Sequence, residues 1–193
     1  MSRLAEEKRQ ALERIMEDAI IGYLDPGSLR LLELLNKPAR VVTLSSCTGR
    51  VTLVSGRRPW SRGEAYIAFK AHDPVTIEDV ERVLSRGFRD LWLKATGPIL
   101  HVKTDSMDCA LHMLSLARPY GFKHSGIISA GDDGVVVEFM SAVDITVPLV
   151  IGGVHVVARL EEIVELVSEA VHAARQLFHE FARQISSHPG PCG

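Results

Sequence analysis

The sequence predicts an α+β fold, in which a mixed, mainly antiparallel sheet is covered by helices. The segments with strand character are joined mostly by turns and hairpins rather than by crossover helices, which favours antiparallel pairing. Long amphipathic helical patterns lie at both ends of the chain. The chain contains neither G-x-G-x-x-G nor G-x-x-x-x-G-K-S/T, so a Rossmann-type cofactor site is not expected.

Helical and strand patterns follow one another along the whole chain. Periodicity and capping residues predict helices over 3–21, 29–35, 76–85, 106–119 and the long segment 156–185. β-branched runs and alternation predict strands over 41–44, 51–54, 64–70, 124–130, 135–140 and 144–151. Gly131-Asp132-Asp133-Gly134 predicts the turn of a hairpin, and the tail 186–193 is expected to be mobile.

Thr96-Gly97-Pro98 interrupts a continuous strand pattern and predicts a further hairpin between residues 90 and 103. With a loop of two or four residues, Trp92 pairs with His101 and Lys94 pairs with Ile99. Leu91, Leu93, Leu100 and Val102 would then face the core. The opposite face would carry an indole, an imidazole and two ammonium groups, which suits either a ligand platform or an ordinary solvated face.

Composition limits the class of protein. The chain has 193 residues, of which 46% are hydrophobic and 24% charged, and a formal net charge of −2, which indicates one soluble domain over residues 1–193. A charge so close to zero gives no argument for nonspecific binding of nucleic acid by the whole surface, so an RNA partner would need a local patch. No apolar run approaches the roughly 20 residues of a membrane span. A cytoplasmic location is expected.

The three cysteines, Cys47, Cys109 and Cys192, are an odd number and include no C-x-x-C pair. This pattern argues against a disulfide framework and against a thiolate metal site, so three free thiols are expected. No pair of histidines has metal-ligand spacing either, and no bound metal is predicted.

Residues 44–50 form a short polar hinge between two β-branched runs and are the best candidate for a functional site. The segment Ser45-Ser46-Cys47-Thr48-Gly49-Arg50 combines hydroxyls, a thiol, a glycine and a guanidinium. At a strand end these side chains would project into a cleft, and backbone N–H groups beside Gly49 could form an anion-binding nest. The same residue types also make ordinary turns.

Two further groups of residues have functional potential. Arg57, Arg58 and Arg62, interleaved with Trp60, combine phosphate-pairing groups with a stacking surface, although a solvated loop would look the same. His72 lies between a predicted strand and a predicted helix, and His101 lies on a predicted strand. An imidazole can take up a proton near neutral pH, which makes both histidines candidate general bases.

Four segments together resemble the tRNA wybutosine-synthesizing protein 3 family. They are Ser45-Ser46-Cys47-Thr48-Gly49-Arg50, Ala71-His72-Asp73, Gly97-Pro98-Ile99-Leu100-His101-Val102 and Gly121-Phe122-Lys123-His124-Ser125-Gly126-Ile127. Their order and spacing match the family from Asp25 through the second hairpin. The hinge and the Leu-His-Val strand are the most specific parts of this resemblance.

The resemblance implies a non-Rossmann, S-adenosylmethionine-dependent tRNA methyltransferase of wybutosine-derivative biosynthesis. The expected reaction methylates N-4 of a demethylwyosine-type tricyclic guanosine next to the anticodon, and the expected partner is the tRNA anticodon stem-loop. A noncatalytic module that recognises the anticodon loop, or a small-molecule-binding protein that never meets RNA, are the alternatives. The sequence leaves the oligomeric state open.

The resemblance and the residue chemistry together define the expected site. His101, His72 and Arg50 are the catalytic candidates, and the hinge and the His101 face are expected to border one cleft. Cofactor- or substrate-binding residues are expected to be Ser45, Ser46, Cys47, Thr48, Gly49, Arg50, Trp92, Lys94, His101, Ser125 and Gly126. RNA-binding residues are expected to be Arg57, Arg58, Trp60 and Arg62.

Overall fold

A computed structural model describes residues 3–25, 27–61 and 63–193, which fold into two compact units. The first unit comprises the chain up to Thr48, Pro98–Ala142 and Ala174–Gly193, and the second comprises Gly49–Gly97 and Val143–Ala173. Each unit has its own sheet and its own hydrophobic core. The predicted α+β class is confirmed, and the strand pairs are antiparallel. That the two units act as a single domain stays a prediction.

Five α-helices and nine strands are formed by the described residues. The helices are α1 (Arg3–Ile20), α2 (Ser28–Leu35), α3 (Ile77–Leu84), α4 (Met107–Ala117) and α5 (Leu160–Ser187). The strands are β1 (Val41–Cys47), β2 (Arg50–Ser55), β3 (Tyr66–Ala71), β4 (Leu91–Thr96), β5 (Ile99–Thr104), β6 (Gly126–Gly131), β7 (Gly134–Met140), β8 (Asp144–Ile151) and β9 (Val154–His155). Among these helices, none has both the length and the apolar character that crossing a membrane requires.

The first unit contains a four-stranded sheet in the order β1-β5-β7-β6. One face of this sheet is apolar because alternate residues of β5 and β7 are hydrophobic, and Leu100, Val102, Val137 and Phe139 are fully buried. They belong to one core with residues of α2, α4 and the C-terminal half of α5. Phe139 and Phe181, whose ring centroids are 5.2 Å apart, lie at its aromatic centre.

The second unit contains a five-stranded sheet in the order β3-β2-β4-β8-β9. Leu53, Leu91 and Leu93 are fully buried on one face of this sheet, in a core shared with α3 and the N-terminal half of α5. Helix α3 begins at a capping box, in which the Thr76 hydroxyl accepts from the Asp79 N–H and the Asp79 carboxylate accepts from the Thr76 N–H.

The predicted hairpin between residues 90 and 103 is wrong. β4 pairs with β2 and β8 in the second unit, whereas β5 pairs with β1 and β7 in the first. Gly97 N donates to Val143 O and Pro98 O accepts from Ser141 N, so both sides of the break are bonded to the short segment 141–143. Pro98 also lacks the N–H that would close a two-residue hairpin loop. Trp92 and His101 therefore do not pair.

The second predicted hairpin is confirmed. β6 and β7 pair antiparallel, with Gly131 opposite Gly134 and the two aspartates at the turn. Gly134 has φ +123, and a Cβ at this position would collide with the Thr104 carbonyl oxygen. Glycine is therefore required here both for its backbone conformation and for the close approach of β5.

The C-terminal tail differs from the sequence prediction. Helix α5 starts at Leu160 instead of 156 and continues to Ser187, and a 3₁₀ turn follows over Gly190–Cys192. A disulfide joins Cys192 to Cys109 on α4, leaving Cys47 as the free thiol. The predictions of a mobile tail and of three free thiols are both wrong, because tertiary packing brings together two cysteines that lie 83 positions apart.

Candidate active site

Three side chains form a continuous hydrogen-bonded row across the sheet of the first unit. Ser45 on β1 lies opposite His101 on β5, and His101 lies opposite Glu138 on β7. The Ser45 Oγ is 2.8 Å from His101 Nδ1, and His101 Nε2 is 2.8 Å from the Glu138 Oε2. The imidazole is thus held at both nitrogens by groups from the two neighbouring strands.

A β-bulge in β1 brings Ser45 into this row. Thr43 pairs with Val102 on the core side, but the register shifts between Thr43 and Ser45, so Leu44 has no partner in the ladder. Without the bulge Leu44 would lie opposite His101. With it, the hydroxyl of Ser45 takes that place, and Leu44 is left 46% exposed.

The row is accessible to solvent, and each of its two hydrogen bonds has a defined donor and acceptor. The side chains of His101 and Glu138 are 30% and 33% exposed, and Ser45 is exposed. A carboxylate accepts hydrogen bonds, so His101 Nε2 carries a proton and donates it to Glu138. In the neutral imidazole the lone pair then lies on Nδ1, where it accepts the Ser45 hydroxyl proton. The arrangement can hold a proton at Nδ1 or pass one through the serine hydroxyl.

The other predicted residues at the end of β1 are Ser46 and Cys47, which lie in the strand, and Thr48, which follows it. Ser46 and Cys47 are half-buried and pair with Leu100 and Ile99. Thr48 is buried, and both its N–H and its hydroxyl donate to the Asp25 carboxylate, at 2.8 and 3.1 Å. These contacts fix the end of β1, which positions the rest of the strand.

Ser125 and Gly126 lie beside Glu138. Gly126 pairs with Glu138 across the β6–β7 ladder, and the Ser125 hydroxyl accepts from Met140 N at 3.0 Å. The absence of a side chain at Gly126 leaves the flank of the Glu138 carboxylate uncovered. Three of the four resembling segments therefore contribute strands to the same sheet, with Ser45 on β1, His101 on β5 and Gly126 on β6.

The other half of the hinge lies in the second unit. Gly49 has φ +94, and a Cβ there would lie 2.9 Å from the Thr96 carbonyl oxygen, so only glycine fits. His72 Nδ1 is 3.2 Å from the Gly49 carbonyl oxygen and must donate to it, which places the lone pair of the neutral ring on Nε2. Arg50 is exposed and pairs with Thr96. Whether Arg50 and His72 act with His101 stays a prediction.

Trp92 and Lys94 also belong to the second unit, together with the predicted RNA-binding loop. Arg57 contacts the buried carboxylate of Asp90 at 3.3 Å, and Arg58 forms a two-pronged ion pair with Glu64. Trp60 packs edge-to-face against Trp92. Arg62 lies outside the described residues.

In the first unit, the structure brings Ser45 and His101 together, places Gly126 opposite Glu138, and so adds Glu138, which the sequence reasoning missed. In the second unit it brings together Gly49 and His72, and Trp60 and Trp92. A signal for Glu138 was present: β7 reads Gly-Val-Val-Val-Glu-Phe-Met, and Glu138 is the one charged residue in this apolar run. Its alternation with Val137 and Phe139 places it on the face opposite the core. The predicted common face of Trp92 and His101 is wrong because β4 and β5 lie in different sheets.

Fold and site together define an α+β protein, built from antiparallel sheets and lacking the Rossmann arrangement, with a histidine at the centre of a polar row. A family model described as "Methyltransferase TYW3" matches residues 6–187. The chain belongs to this methyltransferase family, and the resemblance read from the sequence is confirmed.

Relatives of the chain carry a common name. A protein of Aeropyrum pernix, named tRNA(Phe) 7-((3-amino-3-carboxypropyl)-4-demethylwyosine(37)-N(4))-methyltransferase, is 43% identical over 176 residues, which cover 90% of this chain and 94% of the relative. A protein of Saccharolobus solfataricus with the same name is 41% identical over 140 residues, covering 72% of this chain and 67% of the relative.

Solved structures have the same fold. A crystal structure of a hypothetical protein from Aeropyrum pernix matches with a TM-score of 0.78 and 42% identity, over 84% of this chain and 98% of that one. The PH1069 protein from Pyrococcus horikoshii matches with a TM-score of 0.85 and 26% identity, over 95% of this chain and 98% of that one.

Proposed function

We propose that this protein transfers a methyl group from S-adenosylmethionine to N-4 of a demethylwyosine-type base at position 37 of tRNA(Phe), in the cytoplasm. The observation that carries the proposal is the match to a relative of that name over 90% of this chain and 94% of the relative. The geometry supports it, because Ser45 and His101, from two of the resembling segments, are hydrogen-bonded to each other at a solvent-accessible site in the first unit.

The chemistry sets the task for the protein. In methyl transfer from a sulfonium, the carbon–sulfur bond breaks with its electron pair staying on sulfur while a carbon–nitrogen bond forms. The acceptor N-4 loses its proton during or after this step, so a base or a hydrogen-bond acceptor is needed. Alignment of donor and acceptor can contribute up to roughly 7–11 kcal/mol in favourable cases.

His101 is the proposed acceptor of the N-4 proton, directly or through Ser45. Glu138 holds Nε2–H and so keeps the lone pair on Nδ1, and the imidazolium formed on protonation would face a carboxylate at 2.8 Å. His72, whose Nδ1 donates to the Gly49 carbonyl, is the second candidate base.

The residues available to S-adenosylmethionine fit its functional groups. In the first unit, the hydroxyls of Ser45 and Ser46 suit its ribose hydroxyls. The polar atoms of Thr48 are engaged by Asp25, so Thr48 contributes by shaping the strand end. When bound, S-adenosylmethionine supplies the electrophilic methyl group.

The direct test is methylation of the expected nucleoside. The purified protein is incubated with S-adenosylmethionine and tRNA(Phe) that carries the unmethylated intermediate, and the digested nucleosides are analysed by mass spectrometry. We expect a mass gain of one methylene at the tricyclic base, and binding of S-adenosylmethionine in isothermal titration calorimetry. Donor binding without modification of any tRNA, or tRNA binding without donor binding, would contradict the proposal.

A further inference from the structure

The face of the five-stranded sheet opposite its core carries an ordered set of residues. Strand pairing places Thr52 between Lys70 and Lys94 in one row across β3, β2 and β4. The neighbouring row contains Trp92. Because partners across a ladder share a face, these side chains all lie on the side away from Leu91 and Leu93.

An aromatic ring is held over this face. The Trp92 indole N–H donates to the Gly56 carbonyl at 2.8 Å, which fixes the orientation of Trp92. Trp60 packs against it with ring centroids 6.4 Å apart and planes at 68°. Trp60 itself is 74% exposed, so a large apolar ring is presented to solvent by a fixed support. This is the geometry of a stacking platform for a planar group.

Cationic groups lie on the same face as Trp92, in the rows to one side of it. Lys70 is exposed, and Lys94 is half-buried with its Nζ 3.8 Å from the Asp144 carboxylate. Arg50 is exposed on the same face, next to Thr96. Arg57 and Arg58 of the neighbouring loop are ion-paired with Asp90 and Glu64, as Lys94 is with Asp144. With Lys70, Lys94 and Arg50 against Asp144, this set of residues on the sheet face has a positive net charge.

We propose that this sheet face binds the single-stranded loop of the substrate RNA, with one base stacked on Trp60 and backbone phosphates contacted by Lys70 and Lys94. Two strand spacings, about 9–10 Å, separate the two lysine backbones, so they would contact different phosphates. Stacking on an aromatic ring beside a cationic track is the usual way in which proteins hold single-stranded nucleic acid. The inference rests on the proposed function, which supplies a tRNA as the partner.

Intrinsic fluorescence gives a direct readout. The chain has two tryptophans, and both lie on this surface. We expect an anticodon stem-loop RNA to quench their emission on titration. Trp60→Ala should weaken binding about 5- to 150-fold, measured by fluorescence anisotropy of labelled RNA, and Trp60→Phe should restore most of the affinity. Tyr23→Ala, which removes a ring 79% exposed in the first unit, is the matched control.

The lysines are tested by the salt dependence of binding. Lys70→Gln and Lys94→Gln should each reduce the slope of log affinity against log salt by about 0.7, the value for one lost phosphate contact on a single strand. Lys37→Gln, at an exposed lysine of the first unit, should leave the slope unchanged. Circular dichroism of each variant separates loss of contact from loss of fold.

The outcomes separate this inference from the proposed function. Suppose that the wild-type protein binds and methylates tRNA. Wild-type RNA affinity in Trp60→Ala and a wild-type salt slope in Lys70→Gln would then overturn the sheet-face inference alone. Methylation without any fluorescence change on RNA binding would do the same. A wild-type protein that neither binds nor methylates tRNA would overturn both.

Discussion

At the scale of single residues, the central feature is an imidazole with two defined partners. A histidine bonded to a carboxylate at one nitrogen and a hydroxyl at the other has one favoured neutral tautomer. In the proposed mechanism Glu138 is a positioning residue, because it would act on the substrate through His101. Its carboxylate also compensates the positive charge that His101 acquires when it takes a proton.

Substitutions in the row should separate chemistry from positioning. His101→Ala should lower kcat by about 10²–10⁴-fold with little change in tRNA affinity, since general-base catalysis contributes on that order. Glu138→Gln should lower kcat less, shift the pH profile of kcat, and change the tautomer of His101 seen in ¹⁵N NMR. His155→Ala, at an exposed histidine of β9, is the control. An unchanged His101 tautomer in Glu138→Gln would remove the positioning role.

At the scale of elements, local signals explain most boundaries. Helix α3 begins where Thr76 and Asp79 exchange hydrogen bonds, and α4 begins where the Ser106 hydroxyl accepts from Cys109 N. The hydrogen bond from the Thr76 N–H to the carboxylate lowers the pKa of Asp79. A carboxyl whose pKa is lowered on folding stabilises the fold above its unfolded pKa, and this contribution is lost as the pH falls.

Removal of the α3 cap gives a prediction at this scale. Thr76→Ala should lower the free energy of unfolding by about 1 kcal/mol, because the Asp79 N–H loses its acceptor at the helix start. Thr76→Ser retains the hydroxyl and should stay close to wild type. Urea denaturation at neutral pH measures both values. A Thr76→Ala variant as stable as Thr76→Ser would show that the cap contributes nothing.

At the scale of the whole molecule, the chain crosses between its two units several times, and its C-terminus is attached to the first unit. Arg40 N donates to the Cys192 carbonyl at 3.0 Å, and its guanidinium contacts Asp105 and the Pro191 carbonyl. These bonds and the Cys109–Cys192 disulfide hold the last residues against α4. The Cys192 side chain is fully buried.

Loss of the disulfide should be costly. The bond closes a loop across 83 positions, and in the chain-entropy description Cys192→Ser or reduction should lower the free energy of unfolding by about 4.5 kcal/mol. Cys47→Ser retains the disulfide, so in urea without reductant its free energy of unfolding should equal that of the wild type. Identical unfolding curves with and without reductant, or two free thiols at Cys109 and Cys192 in mass spectrometry, would contradict this expectation.

Local sequence patterns determined the α+β class, the capped helices, the Gly131–Gly134 turn and the candidate residues Ser45 and His101. These features depend on side-chain periodicity, helix capping or turn chemistry, all of which involve residues close together in the sequence. The resemblance to the family could be read for the same reason, because its motifs are short and contiguous.

Tertiary structure alone decided which strands are neighbours. β4 and β5 have the same alternation, with Leu91, Leu93, Leu100 and Val102 all buried, yet they belong to different cores. Burial of apolar faces sets such pairings, and the pattern of one strand does not say which partner offers the matching face. The bulge at Leu44, the approach of Glu138 to His101 and the Cys109–Cys192 disulfide all depend on contacts between residues distant in sequence.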